Sequence, residues 1–412
     1  MTHTLCRSCG AKLEHSFCDL GLSPISNAFI KPGQEQFGEM FYPLAALVCD
    51  HCWLVQLNDS PKSDAHFHDD YVYFSSFSES WLEHARRYVA DTTARFGLNA
   101  QSQVIELASN DGYLLQYFVQ TGVPCLGIEP TANTAQAARE RGVPTREAFF
   151  GRATAENLRS EGITTDLLIG NNVLAHVPDI NDFVAGMPVV LKPEGVITLE
   201  FPHLLRLIAG NQFDTIYHEH YGYLSLTALL PVFARAGLRV FDVAALGTHG
   251  GSLRLYICHE NSASHSTRPS VAALVDEERT AGLTTLDTYT AFADQVRATK
   301  LALLDFMVQA KREGKRIAAY GAAAKGNTLL NYCGIGRDFI DFVVDRNPTK
   351  QGRLLPGTRI PVVAPETIQA RQPDYLLILP WNIKDEIMRQ NTAIRAWGGQ
   401  FVIPIPHVEI VS

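Results

Sequence analysis

The sequence predicts an α/β protein in three parts, on three observations. Two cysteine pairs of identical spacing, CRSC at 6 to 9 and CDHC at 49 to 52, stand near the N-terminus. Behind them short apolar strands alternate with helical stretches, the pattern of a parallel, doubly wound sheet. After a mostly helical tract at 270 to 312 the alternation starts afresh, so a second α/β unit follows the first. With 412 residues, 46% of them hydrophobic, the chain can bury two or three separate cores. The divisions are expected at 1–60, 61–260 and 261–412.

In the first part, eight cysteines in 412 residues do not make a disulfide scaffold, and clustered thiols in a reducing compartment are more often metal ligands. A two-residue spacing lets a tight turn aim both sulfurs at one ion, and two such knuckles supply the four thiolates of a closed structural zinc site. Cys6, Cys9, Cys49 and Cys52 are therefore the expected zinc ligands. The 39 residues between the knuckles exceed a ribbon's spacing and predict a loop or hairpin of their own. A zinc ribbon can also bind nucleic acid, but the segment lacks clustered Lys and Arg.

In the second part, residues 66 to 81, HFHDDYVYFSSFSESW, read as an ordered aromatic loop, and a helical pattern runs from about 82 to Phe96. QVIELASNDGYLLQYF then reads as strand, turn and helix, with further strands at 125 to 130, 165 to 173 and 195 to 202. SLTALLPVFARAGL is a helix with Ser225 as N-cap. LRVFDVAAL and GSLRLYICH, joined through GTHGG, predict an antiparallel pair ending the sheet, with His249 as a turn histidine.

In VIELASNDGYLL, Glu106 ends a strand, and Ala108, Ser109, Asn110, Asp111 and Gly112 follow before the helix, where a ligand can approach the backbone closely. Ala108 and Asn110 occupy positions that are glycines in the dinucleotide fingerprint, and no pyrophosphate cradle is evident. Glu129 ends the next strand, where a carboxylate can take both hydroxyls of a ribose. The acidic strand end at 106 suits a cationic ligand, which favours S-adenosylmethionine over NAD.

The stretch IYHEHYGYLS sets two histidines one carboxylate apart. If it is extended, His218 and His220 face one side while Tyr217 and Glu219 face the other, so all four can meet one ligand only if the backbone turns. A metal reading lacks both an HExxH helix and a third ligand at a predictable spacing. In the third part GAAAKGN follows a strand and opens a helix, so amides near Gly326 and Asn327, with the charge of Lys325, would meet a pyrophosphate. Asp345 and Arg346 end the next strand and would contact the nucleotide's ribose or base.

ELASNDG, EAFFG at 147 to 151, GNNVLAHVPD at 170 to 179, YHEH and GAAAKGNTLL, behind the paired knuckles, together resemble the S-adenosylmethionine-dependent sugar C-methyltransferases. Those enzymes methylate C-3 of a nucleotide-linked 4-keto-deoxysugar. The resemblance runs over nearly the whole chain. It implies a zinc-binding module, a central Rossmann-like methyltransferase domain, and a C-terminal Rossmann-like domain that helps hold the sugar nucleotide. The implied reaction is base-catalysed enolate formation on a nucleoside-diphosphate-linked 4-keto-6-deoxysugar, with a dTDP-linked, 2,6-dideoxy sugar as the finer expectation. It further implies His220 as the base, because the last residue of YHEH takes that role; spacing alone does not separate it from His218. Tyr217 would donate toward substrate oxygens, Glu219 would orient or polarise an imidazole, and His176 would donate to the enolate oxygen. Asn171 and Asn172 would contact cofactor or sugar, and Tyr71 would close the site from the zinc-module side. The alternative is methylation of a hydroxyl on a sugar or other small molecule, which needs a base but no adjacent ketone.

Net charge is -8 with no long run of like charge, which argues against nucleic acid or anionic membrane as partner. MTHTLCRSCG lacks the apolar core of a signal peptide, and no window approaches the roughly 18 apolar residues of a membrane span. A cytoplasmic monomer or weak oligomer acting on a small molecule is expected.

Overall fold

The computed structural model describes residues 4–58 and 74–412. Tyr71 lies outside the described residues.

The segment between the knuckles forms a hairpin. Strand β1 (His15–Ser23) pairs antiparallel with β2 (Tyr42–Val48), and β2 pairs with β3 (Val55–Leu57). The apolar side chains buried from these strands, Phe17, Leu44, Val48 and Leu57 among them, are too few to form a core alone and pack onto the rest of the chain.

The central sheet begins behind α1 (Glu79–Phe96). Ser78 caps that helix by accepting from the amide of Trp81, and Gly97 ends it in the left-handed conformation at φ 63°. Trp81, Ala85, Tyr88, Val89 and Thr92 form its buried stripe. There follow β4 (Val104–Leu107), α2 (Leu115–Gln120), β5 (Cys125–Glu129), α3 (Ala132–Glu140), β6 (Thr145–Glu147), α4 (Arg152–Ser160), β7 (Thr165–Asn171), α5 (Ile180–Val190) and β8 (Leu191–Pro202). Next come α6 (Leu204–Ala209), the two-residue strand β9 (Gly222–Tyr223), α7 (Leu226–Arg235), β10 (Leu238–Leu246) and β11 (Ser252–His259). The seven-stranded order is β10-β11-β8-β7-β4-β5-β6. β4 pairs in parallel with both β5 and β7, so the sheet reverses its direction of growth there, and ligands of open α/β sheets bind at the carboxyl ends of such strands. The antiparallel pair β10 and β11 ends the sheet, as expected.

Strand β9 belongs to the other sheet: it pairs with β3, completing β1-β2-β3-β9. The segment just past IYHEHY is thereby stitched to the zinc module.

Helix α8 (Pro269–Thr280) packs on β10 and α7, while α9 (Leu286–Thr290) and α10 (Phe292–Arg312) lie against β1. Phe17 stacks on Phe292 with centroids 4.6 Å apart. The last sheet has the order β14-β13-β12-β15-β16-β17. Its elements are β12 (Ile317–Tyr320), α11 (Ala324–Cys333), β13 (Val343–Val344), β14 (Val362–Val363), α12 (Thr367–Arg371), β15 (Tyr375–Ile378), α13 (Lys384–Gln390), β16 (Gln400–Ile403) and β17 (Glu409–Val411). No helix among the described residues is long and apolar enough to cross a membrane.

Glu278 of α8 ties this framework together. Its fully buried carboxylate accepts from the amides of Leu226 and Thr227 at the start of α7, both at 2.8 Å, and from His203 Nε2 at 2.7 Å. Ser225, the N-cap, accepts from Ala228 N on the same first turn. Replacing Glu278 with alanine leaves the buried amide of Leu226, the half-buried amide of Thr227 and a buried histidine without their acceptor and should cost about 3 kcal/mol. Equilibrium denaturation checks this, and a loss below about 0.5 kcal/mol would contradict it.

Candidate active site

The four knuckle sulfurs lie within 4.8 Å of one another, and none is in a disulfide. Cys6 and Cys52 Sγ are 3.5 Å apart and Cys9 and Cys49 Sγ 3.6 Å. Sulfurs at about 2.3 Å from a tetrahedral zinc stand about 3.8 Å from each other, so the donor set fits that ion. Gln56 Nε2 donates to Cys6 Sγ at 3.1 Å, the kind of supporting contact that orients a metal-bound thiolate. None of the four reaches the cavity described next.

A cavity of 510 Å³ opens where the three sheets approach one another. The loop after β4 brings Ala108, Asn110 and Tyr113 to it; the end of β5 brings Glu129; the end of β7 brings Asn171, Asn172 and His176. From the HEH stretch come Tyr217, Glu219 and His220, from the last unit Ala323, Ala324, Lys325 and Lys350, and from the first module Asn27.

Ala108 and Asn110 are both left-handed, at φ 53° and 49°, which bends the loop tightly under the cavity. Glu129 Oε2 accepts from Asn110 N at 2.8 Å, and Oε1 accepts from Thr131 N at 2.9 Å and from the Thr131 hydroxyl. Carboxylate oxygens accept more than one donor, so Glu129 still offers lone pairs to a diol. Asn171 has a buried side-chain amide with neither atom hydrogen-bonded among the described residues, and such groups need a polar ligand. These residues fit a nucleoside-bearing cofactor such as S-adenosylmethionine.

Two residues expected at that ligand stand elsewhere. Glu106 is absent from the cavity wall; burial drives its proton affinity well above the carboxylate range, against a hydrogen bond from Tyr113. Gly112, at φ 75°, is a packing position: a Cβ there would lie 3.0 Å from Val143 Cγ2.

The HEH stretch is a turn, closed by His220 N donating to Tyr217 O at 2.9 Å. His220 Nδ1 lies 2.8 Å from the carbonyl of Thr215, which can only accept, so Nδ1 carries the ring proton. Nε2 is then the basic nitrogen, and it receives the Tyr217 hydroxyl at 2.8 Å. Burial, and then the neighbouring His176, lower the proton affinity of His220 well below the ordinary histidine value, keeping the ring neutral. The His176 ring stands edge-on to it at 4.6 Å. His218 faces away: its Nε2 is 3.1 Å from Pro43 O and its ring packs on Tyr42. Glu219, expected to orient an imidazole, is held by the first module. Its carboxylate accepts from Asn27 Nδ2 at 2.6 Å, and burial raises its pKa to about 7. The turn sends it toward the first module while Thr215 and Tyr217 hold His220.

His249, expected as a turn histidine, lines the cavity. It is left-handed at φ 53°, with Nε2 3.0 Å from Asn172 Nδ2 and its ring edge-on to Trp81. Asn172 is itself left-handed at φ 53°. Burial, followed by the charge of Lys325, lowers His249 to about 4. Below, Glu200 accepts from Arg254 at 2.6 Å, Thr248 at 3.0 Å and His84 at 3.0 Å. Burial opposes its charge, yet these partners hold Glu200 at about 2. The one sequence signal for His249 was its place before two glycines in GTHGG.

In the last unit Lys325 Nζ donates to Asn382 Oδ1 at 2.8 Å, and Lys350 Nζ donates to Ala322 O at 2.8 Å beside Asp345. Gly326, Asn327, Asp345 and Arg346 do not reach the cavity wall. A Cβ at Gly326 would meet Leu379 at 2.8 Å, so its job is packing. Asn327 is buried and donates to Ser26 O; Asp345 accepts from Ala322 N; Arg346 is exposed. Asn27 and Lys350, unremarked in the sequence, take their places in the wall.

Family models match three consecutive stretches: a zinc binding domain over residues 6–67, a methyltransferase domain over 81–243, and a C-methyltransferase C-terminal domain over 247–406. Among curated relatives, the C-methyltransferase NovU of Streptomyces niveus is 36% identical over 407 residues, covering 99% of this chain and 96% of its own. An uncharacterized methyltransferase of Mycobacterium leprae is 28% identical over 115 residues, 28% of this chain and 42% of that one. Among solved structures, magnesium protoporphyrin IX methyltransferase from Synechocystis PCC 6803 with bound SAH matches 43% of this chain and 83% of its own, at 14% identity and a TM-score of 0.35.

Proposed function

Because the chain belongs to the family of S-adenosylmethionine-dependent C-methyltransferases, we propose that the carbon it methylates is C-3 of a nucleoside-diphosphate-linked 4-keto-6-deoxysugar, dTDP-linked and 2,6-dideoxy. S-adenosylmethionine, when bound, supplies the electrophilic methyl group. Residues 1–60 hold the zinc, 61–260 the methyl donor and 261–412 the sugar nucleotide.

Carbon becomes nucleophilic only when a proton leaves a position whose charge can spread into a carbonyl, and C-3 beside a 4-ketone is such a position. The observation that carries the reading is the neutral His220 in the cavity, its Nε2 basic because Thr215 holds the proton on Nδ1. Nε2 takes the C-3 proton as the Tyr217 hydroxyl turns from it toward a substrate oxygen, and the Thr215 carbonyl steadies the resulting imidazolium. His176 donates to the oxygen at C-4. Ala108, Asn110, Glu129, Asn171 and Asn172 hold the methyl donor across the cavity. Lys350 and the start of α11 at Ala323 and Ala324 meet the diphosphate.

Turnover of a dTDP-linked 4-keto-6-deoxysugar carrying deuterium at C-3 tests this through the mass of the methylated product. Methylation at C-3 releases the label. A methylated product that retains it in full sends the methyl group to a hydroxyl and overturns the reading.

A further inference from the structure

We propose that Lys325 is a catalytic residue whose ammonium is the counter-charge to the C-4 oxygen as the C-3 proton leaves, and not an anchor for the diphosphate. The inference rests on the C-3 reaction proposed above and adds to it a group that works on the reacting atoms.

The base and this ammonium are held by one short piece of chain. The 3₁₀ turn Phe213–Thr215 packs on α11, the helix that carries Lys325. Thr215 fixes His220 through its carbonyl, and the adjacent Asp214, fully buried, accepts the indole N–H of Trp381 at 2.7 Å. Lys325 Nζ sits 4.9 Å from the centre of that indole ring. Near one helical turn beyond Lys325, Thr328 Oγ1 donates to the carbonyl of Ile216 at 3.1 Å, pinning α11 to the start of the HEH stretch. Lys325 and His220 therefore face the same cavity from elements packed and hydrogen-bonded to each other.

The donors of Lys325 are also available. An ammonium has three donors, and among the described residues Lys325 uses one, on Asn382. Among the described residues Asp214 acts on Lys325 through its charge without a direct ion pair, and one of its carboxylate oxygens has no hydrogen-bond partner. Lys350, in contrast, spends a donor on Ala322 O and has Asp345 at 3.7 Å as counterion. Burial lowers the proton affinity of Lys325 and the charge of the neighbouring Asp214 carboxylate raises it; as an ammonium it lowers His249, second only to burial, and, after burial and His176, it lowers His220.

Sugar geometry then distinguishes the two roles. A base at C-3 has the C-4 oxygen as its neighbour, whereas the diphosphate on C-1 stands across the ring. In the step, the C-3 proton goes to His220 Nε2, the C–H electron pair forms the C-3–C-4 double bond, and the carbonyl π pair moves onto oxygen. Lys325 neither gains nor loses a proton; it stabilises the charge that develops.

The test compares Lys325→Met with the wild-type enzyme in two measurements: exchange of the C-3 hydrogen with deuterated solvent in the presence of S-adenosylhomocysteine, and the Kd for thymidine diphosphate. Exchange is expected to fall about 100- to 1,000-fold, with Kd changed less than about threefold. Lys325→Arg should recover part of the exchange. Because Lys325→Met strips Asp214 of its neighbouring cation, the double variant Lys325→Met/Asp214→Asn provides a second readout and should be equally poor in exchange. A tenfold weaker Kd with exchange preserved makes Lys325 a diphosphate anchor and overturns the proposal, as does full exchange in the double variant. Failure of the underlying reading shows instead in the wild type, as methylation without any C-3 exchange or label loss.

Discussion

His220→Asn is expected to lower methyl transfer by at least about 1,000-fold and to abolish C-3 hydrogen exchange, while S-adenosylmethionine binds as before. Asparagine keeps a donor that can reach the Thr215 carbonyl, so the turn should survive, but it has no basic nitrogen where Nε2 stood. His218→Asn is the matched control. Its ring bonds the Pro43 carbonyl outside the cavity, so it should reduce stability more than the chemical step. The pH profile adds an independent check. A base whose proton affinity is lowered by burial stays neutral through pH 6.5, the ordinary histidine value, so the acid limb of kcat should lie below it. Full turnover by His220→Asn, or an acid limb at or above that pH, would remove His220 from the role.

Stripping the zinc should be as damaging although no knuckle residue touches the cavity. Structural zinc sites contribute on the order of 10 kcal/mol to the folding of small modules. Here the sulfurs of Cys49 and Cys52 lie buried against apolar residues of the central unit, and the knuckles hold the ends of a hairpin that delivers Asn27 to Glu219. Chelation, or Cys49→Ser, is expected to lower the thermal midpoint sharply and eliminate activity, with one zinc per chain in the intact protein. Readdition of zinc should restore both together. A metal-free chain that kept its midpoint and its kcat would show that the cysteines are dispensable.

Local signals carried most of the architecture. Cysteine pairs with two residues between them, Ser225 before an apolar run, and strands set off by turns each declare themselves within about ten residues, and the structure agrees with them. The site was harder because its geometry depends on which way single residues point. In β4 all four residues, Val104 to Leu107, are buried, so the alternation that normally separates inward from outward is erased and Glu106 gave no sign that it stands outside the cavity wall. The HEH stretch showed the opposite: its residue types required a turn, and only the turn separates His220 from His218. Asn27, Lys350 and His249 reach the cavity through contacts between distant segments, for which no motif exists. For His249 the decisive feature is a left-handed backbone at a non-glycine residue, a conformation that the flanking glycines only hint at.

The pairing of β9 with β3 has a consequence for how the chain is made. The zinc module is synthesised first, but the strand that closes its sheet emerges roughly 170 residues later. At about 5–20 residues per second, the ribosome leaves that β3 edge unpaired for roughly 10–30 s. An open strand edge is a template for pairing with another chain, so the nascent protein passes through a stretch of synthesis in which that edge is open to its neighbours. The residues that end the exposure, Gly222 and Tyr223, stand two and three positions after His220, so the edge is covered only once the turn bearing His220 has itself been made.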